Sequence, residues 1–91
     1  MISHIKKIID RKDLTDPAKT LLIRIYLKQV EAGGWVITDN SSLAKEQGIG
    51  RVMVSKHTRI LKEKGLVDKS VHFGDDGYRD GIQIRVLIEN L

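Results

Sequence analysis

Apolar side chains recur along this chain with two periods, and those periods divide it into elements. Over residues 2–12, Ile2, Ile5 and Ile9, with Ile8 beside them, follow the three- and four-residue spacing of one helix face, which predicts a short amphipathic helix. Such a helix needs its stripe covered, either by the rest of the domain or by a second copy. Asp16-Pro17 starts a second helix, with Asp16 as the capping residue and Pro17 at the first helical position. It runs to about Ala32, with Leu22, Ile23, Tyr26 and Val30 as expected core contacts, and Gly33-Gly34 stops it. Trp35-Val36-Ile37 is too short for a helix and rich in β-formers, so a short strand is expected. Asp39 caps a third helix over roughly residues 40–47, with Leu43 and Ala44 facing inward. Gly48-Ile49-Gly50 forms a tight turn around one buried apolar residue, and a fourth helix follows over residues 51–64, ended by Gly65. Leu66 to Phe73 alternates as a strand. After loop chemistry at Gly74-Asp75-Asp76-Gly77 and Asp80-Gly81, residues 82–89 alternate more cleanly. Ile82, Ile84, Val86 and Ile88 share one face there, and Gln83, Arg85 and Glu89 the other. The last two strands make a hairpin with a long tip.

The fourth helix has two chemically different faces. At 100° per residue, Arg51, Val52, Ser55, Lys56, Arg59, Lys62 and Glu63 fall on one arc, and Met53, Val54, His57, Thr58, Ile60, Leu61 and Lys64 on the other. The first arc is polar except for Val52; the second is largely apolar. The helix is therefore expected to pack one side, His57 included, and to present a basic stripe on the other. About 14 residues span roughly 21 Å, a length suited to a DNA major groove. Lysine and arginine neutralise phosphates and release counterions. Arginine can also read guanine bidentately, and Val52 suits a thymine methyl.

Composition narrows the class. A chain of 91 residues with 41% apolar and 31% charged residues reads as one globular domain. At that size folding alone is marginal, which favours an oligomer. The absence of cysteine excludes disulfides, thiolate zinc sites, iron–sulfur clusters and cysteine nucleophiles. No apolar run approaches the roughly twenty residues of a membrane span, and Met1 to Lys6 has no signal-peptide core, so a cytoplasmic location is expected. The net charge of +4 is concentrated: residues 50–64 hold Arg51, Lys56, Arg59, Lys62 and Lys64 against Glu63 alone. The plain alternative for such a run is a solvated helix face.

Candidate catalytic chemistry is thin. His4, His57 and His72 lack the short spacing that puts two metal ligands on one face. Gly48-x-Gly50 has Met53 in the third-glycine position of a dinucleotide fingerprint, and no P-loop or nucleophile elbow occurs. Neither an enzyme, a metal nor a cofactor is expected, and no small-molecule ligand can be inferred from the sequence. Aromatic residues make up only 4%, which disfavours a base-stacking RNA or single-strand platform; Trp35 is expected in the core.

The order of helix, tight turn, basic helix and hairpin completes a pattern. Residues 35–90 resemble a winged helix-turn-helix DNA-binding domain, on the stretch from Ser42-Leu43-Ala44 through Gly48-Ile49-Gly50 to Leu61-Lys62-Glu63-Lys64-Gly65-Leu66-Val67. The family pattern is Leu-Ala, three residues, glycine, an apolar and a small residue, then a helix ending in leucine, Lys-Gly and an apolar strand. The resemblance implies an α+β fold of three or four helices, a C-terminal two-stranded wing and a short extra strand. It makes residues 1–91 one domain: a helical extension over 1–16, a helical core over 17–65 and the wing over 66–91. It also implies that Gly50, Arg51, Val52, Ser55, Lys56, Arg59 and Lys62 lie at recognition-helix positions. Asn40, Ser41 and Ser42 then lie where such domains bind a phosphate, and Lys69 and Arg79 are wing contacts.

Residues 74–81 depart from the family, whose wing tips are usually basic: Asp75, Asp76 and Asp80 oppose only Arg79. Phosphates repel such a tip within a Debye length of about 8–10 Å. Either Arg79 reaches DNA while the aspartates point away, or the wing does something else. The function implied is sequence-specific binding of double-stranded DNA by a small homodimeric transcriptional regulator, a repressor in the first instance. Plasmid or phage replication and partition is the alternative role. A protein-binding winged helix is the alternative of another class. Dimer contacts are expected from the helix at residues 2–12 or the last strand through Leu91.

Overall fold

The computed structural model describes all 91 residues. Helix α1 spans Ile2–Ile9, three residues shorter than the apolar spacing predicts. The Arg11 guanidinium closes on both carboxylate oxygens of Asp13 at 2.9 Å and turns the chain there. That contact, with Lys64 adding a weaker one, holds the Asp13 carboxyl well below the usual carboxylate range. The face α1 buries also differs. Ile8 is fully buried and Ile5 partly so, whereas Ile2 and Ile9 are 82% and 53% exposed. His4, one turn before Ile8, sets this rotation: its Nδ1 lies 2.8 Å from the Tyr26 hydroxyl and its ring meets Tyr26 edge-on.

Helix α2, Asp16–Ala32, is capped by Thr15 and not by Asp16, because the Thr15 hydroxyl accepts from the Ala18 amide. It buries Ala18, Leu21, Leu22, Ile25 and Tyr26, with Ile23 partly covered. Val30 is 46% exposed, contrary to expectation. In the last turn of α2 the sheet is met by Gln29 instead. Its amide accepts from the Val86 amide and donates to the Val86 carbonyl, satisfying backbone groups that β-pairing leaves open.

Strand β1 (Val36–Thr38), helices α3 (Asn40–Gln47) and α4 (Arg51–Glu63), and strands β2 (Val67–Phe73) and β3 (Arg79–Val86) follow. The sheet is antiparallel with order β1-β3-β2, so the short extra strand extends the hairpin. Val36 opposes Ile84 in one ladder and Val67 opposes Val86 in the other. Strand β3 starts three residues before the expected 82 and stops at Val86, so Asp80-Gly81 is strand, not loop. Its end follows from lost partners. The Leu87 amide donates to the Leu66 carbonyl, and beyond it the chain turns through a short 3₁₀ segment, Ile88–Asn90, pinned by Asn90 to the Gly65 carbonyl. Ile88 therefore leaves the buried face. Gly81 permits β1 to approach: its φ is +145°, and a Cβ there would stand 2.5 Å from the Thr38 carbonyl oxygen.

The core is continuous. Leu21, Leu22 and Ile25 of α2 sit among Leu43, Val54, Leu61, Leu66 and Ile84. Trp35 stays outside it, half-buried, with the Arg85 guanidinium 4.6 Å over its ring. No helix is long and apolar enough to cross a membrane.

Candidate nucleic-acid interface

The α3–α4 corner is built by local chemistry. Asp39 accepts from the Ser42 amide at 2.7 Å and its hydroxyl at 3.2 Å, which fixes the start of α3. Gly48 ends α3 in the left-handed conformation, and the Ile49 amide reaches back to the Ala44 carbonyl. Ile49 then packs against the core, and Gly50 launches α4 in an extended conformation. Leu43 and Ala44 of α3 and Val54 of α4 are all buried at this corner.

Helix α4 divides as its sequence predicts except at Met53, which lies on the apolar arc but is 41% exposed. Val54, His57, Thr58 and Leu61 are buried, while Arg51, Val52, Ser55, Lys56, Arg59 and Lys62 are exposed along the opposite face. Val52 is 81% exposed, an apolar side chain held among bases. Arg51 donates to the Ser41 hydroxyl across the corner.

Between α4, the start of α3 and the wing lies a hollow of about 470 Å³, bordered by Asn40, Ser41, Arg51, Val52, Ser55 and Arg79. A second hollow of about 570 Å³ shares Asn40, Ser55 and Arg79 and adds Lys62 and Lys69. Together they form one open concavity edged by Arg51, Lys62, Lys69 and Arg79, with Asp39 as its acid. The Asn40 side-chain oxygen is buried without a partner.

Among the expected contacts, Ser42, Lys69 and Lys62 already have partners within the protein. Ser42 gives its amide and hydroxyl to Asp39. Lys69 does not extend from the wing: its ammonium donates to the Thr58 hydroxyl at 3.0 Å, and Thr58 donates to the Ser55 carbonyl. Burial, and then the nearby charge of Lys62, pushes the Lys69 ammonium below the ordinary lysine value. Lys62 in turn donates to the Lys69 carbonyl, tying the basic helix face to β2. Thr58, as the partner of Lys69, was hidden on the apolar arc of the sequence.

The wing sorts its charges by side. Arg79 opposes Phe73 on β2, whose odd-numbered residues Lys69 and Val71 face α4 together with Ile82 and Ile84. His72 opposes Gly81 on the other face, and the pairing is irregular there. That irregularity lets Asp80 meet His72 at 2.6 Å. Asp76 is absorbed in the turn, accepting from the Tyr78 amide. Arg79 thus borders the concavity while Asp80 is held behind it.

No protein-family model matches the sequence, and no curated protein matches it. Solved structures do match the fold. A possible transcriptional regulator from Methanosarcina mazei Go1 superimposes with a TM-score of 0.60 at 19% identity, over 93% of this chain and 63% of that one. RV1404 from Mycobacterium tuberculosis gives 0.64 at 15% identity, over 97% and 52%. S. aureus MepR bound to ethidium bromide gives 0.64 at 18% identity, over 98% and 58%. The chain has the winged helix-turn-helix fold, and it spans between about half and just under two thirds of the length of each of these proteins.

Proposed function

We propose that this chain binds double-stranded DNA sequence-specifically, as a small homodimeric cytoplasmic regulator that represses transcription, with α4 in the major groove. The observation that carries the proposal is the exposed row Arg51, Ser55, Lys56 and Arg59 on one face of α4, of which Arg51 and Ser55 border the concavity together with Arg79. A groove-filling helix needs that side free and its opposite side anchored, and α4 has Val54 and Leu61 fully buried beneath it.

In this reading Arg51 and Ser55 address base edges, and Val52 a thymine methyl. Lys56, Arg59, Lys62 and Arg79 neutralise phosphates. Asn40, Ser41 and Gly50, at the starts of α3 and α4, offer polar groups to the backbone. Ser42 and Lys69 support that surface through Asp39 and Thr58. The exposed Ile2 and Ile9 of α1 supply the dimer contact, and two copies then match paired half-sites.

Selection from a pool of randomised duplexes tests the proposal. It expects a recovered motif with two related halves, lost with the double substitution Arg51→Ala/Arg59→Ala. Recovery of no motif, with duplex affinity equal for every sequence, contradicts specific recognition.

A further inference from the structure

The inner side of α4 carries a group that DNA binding does not use. His57 is 6% exposed, and neither ring nitrogen has a hydrogen-bond partner among the protein's own atoms. Buried polar side-chain atoms are almost always paired. Packing on the apolar arc accounts for the carbon edge of this ring and leaves both nitrogens unexplained. His57 also borders a cavity of about 210 Å³ between α4 and the segment joining α1 to α2. Leu14, Ala18 and Ile60 give that cavity apolar walls, and the Thr15 side chain borders it as well.

We propose that this cavity is a binding site for a small neutral organic molecule: one ring, or its equivalent, bearing a hydroxyl or carboxamide for His57. Size sets the first limit, since an engineered apolar cavity of about 150 Å³ accepts benzene. The polar group follows from the imidazole, whose neutral form offers one donor and one acceptor. A hydroxyl or carboxamide matches either nitrogen, whichever carries the proton. Neutrality follows from the rim. Its charged groups are Asp13 and Lys56, of opposite sign; Asp13 is already paired with Arg11 and Lys64, and Lys56 is exposed. The two are equal and opposite, so the charged residues bordering the cavity carry no net formal charge. Lys56 and His57 are adjacent on α4, so an occupant that wedges α4 away from Leu14 acts on the basic face. By linkage, DNA would change the affinity of the occupant by the factor by which the occupant changes that of DNA.

The site itself is tested without DNA. Benzamide and benzyl alcohol are titrated into the nitrogen-15-labelled full chain while the imidazole signals of His57 are followed. The expected result is a saturable shift at His57, with the amides of Leu14, Ala18 and Ile60 moving in step. His57→Phe, which keeps a ring of similar bulk, should bind both probes about tenfold more weakly. No saturable shift of His57 with either probe overturns the proposal. So does undiminished binding of both by a folded His57→Phe.

Discussion

His72 holds Asp80 at 2.6 Å on the face of the wing opposite Arg79. Neighbours in sequence, Arg79 and Asp80 would normally alternate anyway, but the irregular pairing beside His72 fixes which side each takes. The acid expected to oppose DNA contact is thereby turned to the outer face. Arg79→Ala is expected to reduce the slope of log affinity against log salt by about one phosphate contact, roughly 0.9. Asp80→Asn should leave that slope nearly unchanged. Anisotropy titrations of both variants over a salt series check this.

The two open faces of α1 and α4 predict separable defects. Ile2→Glu with Ile9→Glu puts charge on side chains that are already 82% and 53% exposed, so the chain should still fold. Light scattering should then give the monomer mass of 10.3 kDa where the unaltered chain gives about twice that. A monomer for the unaltered chain at tens of micromolar contradicts the dimer.

Gly81 carries a steric prediction. A Cβ there meets the Thr38 carbonyl oxygen at 2.5 Å, backbone against backbone, at a φ of +145°. Gly81→Ala should cost about 1–3 kcal/mol in urea unfolding, the scale of local backbone strain. Gly34, where an added Cβ would meet nothing within 4 Å, is the control. Gly34→Ala should fall within about 0.5 kcal/mol of the parent.

The buried end of Lys69 makes stability depend on alkaline pH. Its folded ammonium is depressed below the ordinary 10.5, so between the two values the unfolded chain binds more protons than the folded one. The penalty is fully present below the folded value and is relieved as pH rises towards 10.5. Lys69→Met should therefore be more stable than the parent at pH 7, with the gap narrowing by about pH 10. Urea midpoints at the two values give the sign directly.

The element order, the α3–α4 corner and the two faces of α4 were legible because strong local signals coincide there. Asp39 and Gly48 bracket α3, and the apolar positions of α4, Met53 apart, keep one period that tertiary packing follows. Where contacts between distant residues decide, sequence periodicity misled. Ile8 is buried in place of Ile2 and Ile9 because His4 meets Tyr26, a pairing that spacing along α1 does not encode. Val30 yields to Gln29 because Val86 presents unpaired backbone groups. The sorting of Arg79 from Asp80 required the register of β2 against β3. The cavity at His57 required the position of the α1–α2 segment, so His57 read simply as a packing residue.

The exposed face of α4 is proposed to bind duplex DNA. Fluorescence anisotropy on random-sequence duplex DNA, between about 50 and about 200 mM salt, tests this most directly. The unaltered chain should bind with a steep fall in affinity as salt rises, and Lys56→Glu/Arg59→Glu should abolish binding while unfolding at the same urea concentration. Absence of binding at the lowest salt, or full binding by the charge-reversed chain, would contradict the proposal.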